Sequence, residues 1–155
     1  MTSGEPIQAT KTRSTFRLRC SVSAIIRATP ERIWSLLTTP EDMCRWNSTL
    51  TSIEGSIAFG GTMKMRVPEA PGRTFVIKVA RFVPPTEMVW ANGHRLFFLG
   101  ERTYRPGPTG TPGETRFQMA EEFSGPLLPL IAGHLPDFGP IFERYAADLR
   151  VEAER

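Results

Sequence analysis

Hydrophobic and polar residues alternate along much of this chain with a period of two, which is typical of β-strands that have one face in water. The first such segment places inward-facing apolar residues at Leu18, Cys20, Val22, Ala24 and Ile26. Six further segments with a strand pattern follow, separated by turns rich in glycine and proline, at 49–54, 63–67, 73–83, 87–93, 95–105 and 114–125. Seven candidate strands joined by short turns predict an antiparallel meander.

Two helix starts interrupt the sheet after its first strand, and both are written Thr-Pro-Glu, at Thr29 and Thr39. Threonine is a good N-cap because its hydroxyl accepts from the free N–H groups of the first turn, and proline has no N–H to leave unpaired at the next position. The pattern predicts two short helices, the first carrying Trp34 and the second ending near Trp46.

The C-terminal segment has the spacing of an amphipathic helix, with apolar residues at Phe138, Ile141, Phe142, Tyr145 and Leu149. One helix is about 10–12 Å across with its side chains, whereas seven flat strands would span roughly 34 Å. A single helix cannot cover such a sheet. We therefore expect the sheet to curve around the helix and to leave interior space, with the two short helices at one open end.

Composition favours one globular domain. A chain of 155 residues with 40% hydrophobic content is long enough for a single core. We place the domain at 15–155, after a flexible leader at 1–14. The formal charge is +3. Five basic residues lie between Glu5 and Glu31, a stretch without acids, and form a basic arm. Their wide spacing is typical of solvent-exposed charges rather than of a nucleic-acid-binding site. No apolar run approaches a membrane span and no secretion signal is visible, which predicts a cytoplasmic protein without stable membrane insertion.

Several kinds of chemistry are not supported by the sequence. His94 and His134 lie 40 residues apart without acidic ligands nearby, and no Gly-x-Ser-x-Gly nucleophile motif is present. The segment "GSIAFGG" at 55–61 lacks the lysine of a phosphate loop. Cys20 and Cys44 do not form a CxxC pair and are expected to be free thiols. We therefore predict no metal site and no cofactor.

Glu121 is the most informative polar residue. It shares the strand phase of Phe117 and Phe123, so it faces inward if they do, and a carboxylate in an apolar interior needs a partner. Arg102 and Tyr104 on the preceding strand are candidate partners and, with Glu121, candidate catalytic residues. Two interpretations stay open: an anchor or proton-transfer group for a ligand, or a structural salt bridge near the rim of the sheet.

Bulky residues on the predicted inner face are candidates for lining a ligand cavity, although each one taken alone fits an ordinary core equally well or better. Besides Glu121, these candidates are Trp34, Trp46, Met63, Met65, Met88, Trp90, Phe98, Phe117, Met119, Phe138, Ile141, Phe142 and Tyr145.

Three segments stand out along the chain: "TPERIW" at 29–34, "RWN" at 45–47 and "EEFSGPLLPLI" at 121–131. Together with the order of elements, they resemble the START-like (SRPBCC) superfamily and its polyketide cyclase/dehydrase-type branch, and the resemblance extends over about residues 16–152. It implies an α+β helix-grip fold, in which a curved seven-stranded antiparallel sheet wraps around a long C-terminal helix, with two short helices between strands 1 and 2.

The same resemblance implies an internal cavity for a small hydrophobic or amphipathic ligand such as a lipid, a polyketide or an aromatic compound. Non-covalent binding or carriage of that ligand is the leading hypothesis. A cyclase, aromatase or dehydratase would instead use Glu121, Arg102, Tyr104 or Tyr145 to polarise or deprotonate a polyketide-like substrate. A third hypothesis is a protein-interaction module of the co-chaperone or toxin-like type that uses the basic arm.

Overall fold

The computed structural model describes residues 4–155. Its sheet consists of β1 (Thr10–Arg13), β2 (Arg17–Ile26), β3 (Ser52–Gly55), β4 (Thr62–Arg66), β5 (Phe75–Val83), β6 (Glu87–His94), β7 (Phe98–Pro108) and β8 (Thr115–Ser124). The α-helices are α1 (Pro30–Leu37), α2 (Pro40–Trp46), α3 (Leu128–Ile131) and α4 (Phe138–Ala153), and a short 3₁₀ turn covers Ala132–His134.

All strands belong to one antiparallel sheet with the order β1-β2-β8-β7-β6-β5-β4-β3. Helix α4 packs on its inner face, and α1 and α2 lie between β2 and β3 in the chain. This arrangement confirms the predicted helix-grip fold, including the two short helices and the long C-terminal helix. The sheet differs from the prediction in having eight strands rather than seven.

The additional strand is β1, which lies inside the stretch 1–14 predicted as a flexible leader. It pairs with β2 so that Lys11 stands opposite Cys20. All four residues of β1 are exposed, so the strand has no apolar alternation and is held by backbone hydrogen bonds and by the ion pair of Lys11 with Asp137. A prediction based on hydrophobic periodicity therefore misses it. The first three residues of the predicted leader lie outside the described residues.

Strand β7 also differs from its predicted range of 95–105. Residues 94–97 form a turn, closed by the Phe97 N–H donating to the His94 carbonyl at 2.9 Å, so the strand begins at Phe98. At its other end, Gly107 and Pro108 extend the pairing with β8. The glycine- and proline-rich segment expected to be only a loop thus contributes the last part of a strand.

The helix starts follow the predicted capping chemistry in part. The Thr29 hydroxyl accepts from the Arg32 N–H at 3.2 Å, which caps α1. Thr39 does not cap α2 in this way, because its hydroxyl donates back to the Ser35 carbonyl at the end of α1. The long helix α4 is capped by Asp137, whose carboxylate accepts from the Gly139 N–H at 3.1 Å.

The two ends of the molecule are built differently. At the sealed end, defined as 26–46 together with 149–155, Ile33, Leu37 and Met43 are completely buried. The Glu152 side chain there lies among three arginines, at 2.5 Å from Arg45, 3.3 Å from Arg155 and 3.9 Å from Arg32. The open end, defined as 13–17, 93–98 and 124–138, consists of turns with the adjoining strand ends, the short helix α3, the 3₁₀ turn and the start of α4.

Candidate ligand-binding site

The pairing of neighbouring strands places a row of inward-facing residues across the middle of the sheet. Cys20 on β2 stands opposite Glu121 on β8, which stands opposite Arg102 on β7, which stands opposite Trp90 on β6. The next inward row, closer to the sealed end, contains Val22, Met119, Tyr104 and Met88. Because the side-chain period of a strand is two, both rows point toward α4.

Arg102 and Glu121 form an ion pair on the inner face of the sheet. The distance from Arg102 Nη2 to Glu121 Oε2 is 2.6 Å and that from Nε to the same oxygen is 3.1 Å. Both side chains are only 14% exposed. Burial opposes the charge of the guanidinium, but the adjacent Glu121 carboxylate outweighs it and raises the pKa of Arg102 above its ordinary value. Arg102 is therefore the partner that the strand phase of Glu121 requires.

Aromatic rings fill the middle of the interior. The ring of Tyr104 lies 4.9 Å from that of Trp90 and 6.1 Å from that of Tyr145, measured between centroids. Tyr145 on α4 also contacts Trp46 edge-on at 5.8 Å and stacks on Phe117 at 6.4 Å. The sequence predicts a hollow here, but the middle of the interior holds rings in mutual contact.

Four polar groups in this cluster are buried and make no hydrogen bond of regular geometry with residues 4–155. They are the indole N–H groups of Trp46 and Trp90 and the hydroxyls of Tyr104 and Tyr145, and these two hydroxyls lie within interaction distance of each other and of Arg102. Burial raises the pKa of Tyr104 to about 12 and that of Tyr145 well above its ordinary value. Both hydroxyls are therefore protonated at neutral pH. The cluster presents four hydrogen-bond donors to any acceptor that reaches it.

A pocket of about 240 Å³ lies between the first strands of the sheet and the beginning of α4. Its lining is mostly apolar, with one ion pair at the rim, and consists of Lys11, Leu18, Cys20, Phe123, Leu135, Pro136, Asp137 and Phe138. The ammonium of Lys11 donates to the Asp137 carboxylate at 2.6 Å, with both side chains half exposed. Burial raises the pKa of the Cys20 thiol, so the floor of the pocket is neutral.

A layer of phenylalanine rings lines the pocket and continues into the interior. Phe123 stacks on Phe98 at 5.5 Å and contacts Phe138 at 5.2 Å, and Phe138 meets Phe142 edge-on. The ring of Phe142 lies under the guanidinium of Arg102 at 5.0 Å. The ring of Phe123 lies close over Gly100, where a Cβ atom would come within 3.0 Å of it. The ion pair is therefore next to the pocket, because Cys20 in the pocket lining stands opposite Glu121 on the neighbouring strand.

The segment before β1 joins the sheet to α4 beside this pocket. The Ala9 N–H donates to Glu143 on α4 at 2.9 Å, and the guanidinium of Arg150 donates to the Glu5 carbonyl at 3.3 Å. Together with the Lys11–Asp137 pair, these contacts close the gap between the edge of the sheet and the helix. Part of the predicted basic arm is thus a structural element of the fold.

The structure brings most of the candidate residues together and leaves a few apart. Trp34 packs against Phe82 at the sealed end, away from the pocket. Met63 and Met65 are buried on β4, toward the far edge of the sheet, and Ile141 is half-buried against the core. The remaining candidates surround the ion pair, the ring cluster or the layer of phenylalanines, as described above for Arg102, Tyr104, Glu121, Trp46, Met88, Trp90, Phe98, Phe117, Met119, Phe138, Phe142 and Tyr145.

Sequence reasoning did not nominate several residues that line the pocket. Leu18 and Cys20 share the inward phase of the first strand, and that alternation was a sufficient signal for their placement. Leu135 and Asp137 have no comparable signal, because they lie in the connection between α3 and α4.

Within residues 4–155, no group of three or more His, Cys, Asp or Glu side chains is arranged to hold a metal ion. None of the helices in this range has the length and apolarity needed to cross a bilayer.

Comparisons with known proteins agree with this architecture. The family described as "Polyketide cyclase / dehydrase and lipid transport" matches residues 17–154. None of the curated proteins matches the chain significantly. Among solved structures, a START superfamily protein from Mycobacterium smegmatis has a TM-score of 0.64 at 19% identity, over 88% of this chain and 97% of that one. Norcoclaurine synthase from Thalictrum flavum, in complex with dopamine and hydroxybenzaldehyde, has a TM-score of 0.65 at 14% identity, over 96% and 90%.

Proposed function

Because the chain belongs to the polyketide cyclase / dehydrase and lipid transport family, we propose that it binds a small amphipathic ligand non-covalently between the sheet and α4. The ligand class is an apolar body, aromatic or aliphatic, that carries an acceptor oxygen. The observation that carries the proposal is the set of four buried donors that make no regular hydrogen bond within residues 4–155. An unmade hydrogen bond of a buried polar group costs about 1–3 kcal/mol, and a ligand oxygen would remove part of that cost.

The pocket supplies the route and sets a limit on size. Its volume of about 240 Å³ is below the roughly 300–1,000 Å³ of ordinary ligand sites. A ligand that reaches the donors must therefore displace the ring of Phe123 or Phe138. Since norcoclaurine synthase of the same fold holds two small aromatic compounds, aromatic probes are a reasonable first choice.

A matched pair of probes tests the acceptor requirement. 2-Acetylnaphthalene and 2-ethylnaphthalene have similar shapes, but only the first has a carbonyl oxygen. Binding is measured as a rise in Tm, because a ligand that binds only the native state stabilises it by mass action, and as a change in tryptophan fluorescence. We expect the ketone to bind at least about tenfold more tightly, which corresponds to ~1.4 kcal/mol.

The Tyr104→Phe/Tyr145→Phe double variant should lose this preference for the ketone. It should be about as stable as the wild type without ligand, because neither hydroxyl makes a regular hydrogen bond within residues 4–155. Phe82→Leu at the sealed end is the control and should keep the preference. The proposal fails if neither probe binds to the wild type, or if the preference survives in the double variant.

A cyclase or dehydratase is the second candidate, and the observation that favours it is the Glu121 carboxylate fixed by Arg102 on the same face as Tyr104. A carboxylate held in this way can accept a proton from carbon next to a ligand carbonyl. In D₂O, abstraction from the methyl group of 2-acetylnaphthalene would break a C–H bond, and deuteron return would form a C–D bond. Protein-dependent deuterium uptake that disappears in Glu121→Gln supports this function. Tight binding without uptake supports carriage alone.

A further inference from the structure

The open end carries a group of exposed apolar side chains, which we call the open-end patch: Phe16, Leu96, Phe97, Leu127 and Leu130. Between 38% and 74% of each residue is accessible to solvent. Single exposed apolar residues are common on soluble proteins, but a group of large ones at one place marks an interaction surface.

Backbone contacts between three separate turns make the patch continuous. The Leu127 N–H donates to the Phe97 carbonyl at 3.1 Å, and the Gly125 N–H donates to the Phe16 carbonyl at 3.2 Å. Gly125 has a φ of 122°, and a Cβ atom at this position would lie 2.4 Å from the Phe97 oxygen. Only glycine allows this approach. The patch is therefore a fixed feature of the fold and not a chance cluster of loop tips.

The open end carries more positive than negative charge. Its segments 13–17, 93–98 and 124–138 contain Arg13, Arg17 and Arg95 and a single acid, Asp137, which pairs with Lys11. Arg17 lies 3.5 Å from Glu122, while Arg13 and Arg95 make no ion pair with any of residues 4–155. An apolar patch on a surface of net positive charge complements a bilayer, which is apolar inside and carries anionic headgroups outside.

The patch also adjoins the pocket. Leu18 and Phe123, which line the pocket, are each two residues from Phe16 and Gly125, and Leu135 follows α3 in the chain. A protein seated on a bilayer through this patch would present the pocket to the lipid.

We propose that the open-end patch docks this protein peripherally on anionic lipid bilayers. The apolar side chains enter the interface between headgroups and acyl chains, and the arginines contact the anionic headgroups. A hydrophobic ligand could then pass between bilayer and pocket without crossing water. The docking proposal rests on the patch and its charge. It does not require the pocket to bind a ligand, so the two proposals can fail separately.

Vesicle flotation tests the surface directly. We expect the wild type to bind vesicles of phosphatidylcholine and phosphatidylglycerol, mixed about seven to three, at least about tenfold more tightly than vesicles of phosphatidylcholine alone, and to be released by high salt. The Phe97→Asp/Leu130→Asp variant should lose this binding. Phe59→Asp is the control, because Phe59 is more exposed than either patch residue but lies on the loop between β3 and β4, outside the patch.

Other variants and measurements separate the possible outcomes. Arg13→Glu/Arg95→Glu should abolish the preference for anionic vesicles. Circular dichroism and Tm establish that each variant is folded, and the patch variant should keep the thermal response to 2-acetylnaphthalene. The proposal is overturned if the wild type ignores anionic vesicles, or if Phe59→Asp loses binding as fully as the patch variant. It is also overturned if the wild type is a dimer that Phe97→Asp/Leu130→Asp converts to a monomer without any vesicle binding, since the patch would then join two copies.

Discussion

The two ends of this molecule show how one fold separates stability from access. The sealed end buries apolar side chains of α1 and α2 completely, and it surrounds Glu152 with arginines. The open end leaves the large side chains of the open-end patch in water, and its pocket is framed by a half-exposed pair, Lys11 and Asp137. The difference indicates that the sealed end stabilises the fold, while the open end is available for contacts with other molecules.

Truncating one leucine at each end should give the largest difference in stability between the two ends. Leu37 is completely buried, and Leu37→Ala is expected to lower the free energy of unfolding by about 2–5 kcal/mol through lost contacts and a cavity. Leu130 is 74% exposed, and Leu130→Ala should stay within about 0.5 kcal/mol. Urea unfolding at equal m-values measures both. Similar losses at the two positions would contradict the division of roles.

Alkaline titration should show how far the open end admits water. Tyr104 and Tyr145 are the only two tyrosines of the chain, so tyrosinate absorbance reports on the interior alone. Burial raises the pKa of Tyr104 from 10 to about 12 and raises that of Tyr145 as well. A raised pKa in the folded state means that the associated stability is present below about pH 10 and is lost as the pH rises toward 12.

In the folded protein we therefore expect little tyrosinate at pH 10, whereas in denaturant both side chains should be about half ionised there. Circular dichroism at each pH establishes that the fold is retained. Normal titration of the folded protein would show that water passes the ring of Phe123 and reaches the cluster.

Acid titration should produce the smallest effect and should concern the sealed end. Hydrogen bonding by Arg45 lowers the pKa of Glu152 below its ordinary value of 4.5. Its stabilising contribution is therefore present above pH 4.5 and is lost as the pH falls below that value. Glu152→Gln should cost about 1 kcal/mol at neutral pH, and this difference should shrink in acid. Asp137→Asn is the matched variant at the open end, where screening by solvent predicts a smaller change. An equal or larger loss there would reverse the comparison.

The fold was predictable where side chains report on it. Period-two alternation identified the strands that contact α4, and the Thr-Pro-Glu segments identified α1 and α2. Strand β1 left no such signal, because none of its four residues is buried. Its formation depends on backbone pairing with β2, which a hydrophobic pattern does not encode.

The site was predictable only within the sheet. Strand phase placed Glu121 on the inner face and suggested Arg102 as its partner, and the two form the expected pair. The same reasoning could not separate Trp34 from Trp46, because their positions depend on how α1 and α2 dock. Leu135 and Asp137 line the pocket because of the course that the backbone takes between α3 and α4, and the sequence alone does not give that course.

Strand β1 has a practical consequence for any shortened version of the chain. Its backbone pairs with residues 18–21 of β2 and so protects that side of the sheet. A version starting after Arg13 would turn β2 into the outermost strand, with amide and carbonyl groups free to recruit a second molecule edge to edge. Aggregates of such a truncated protein would reflect the lost protective strand, and they would say nothing about lipid or ligand recognition.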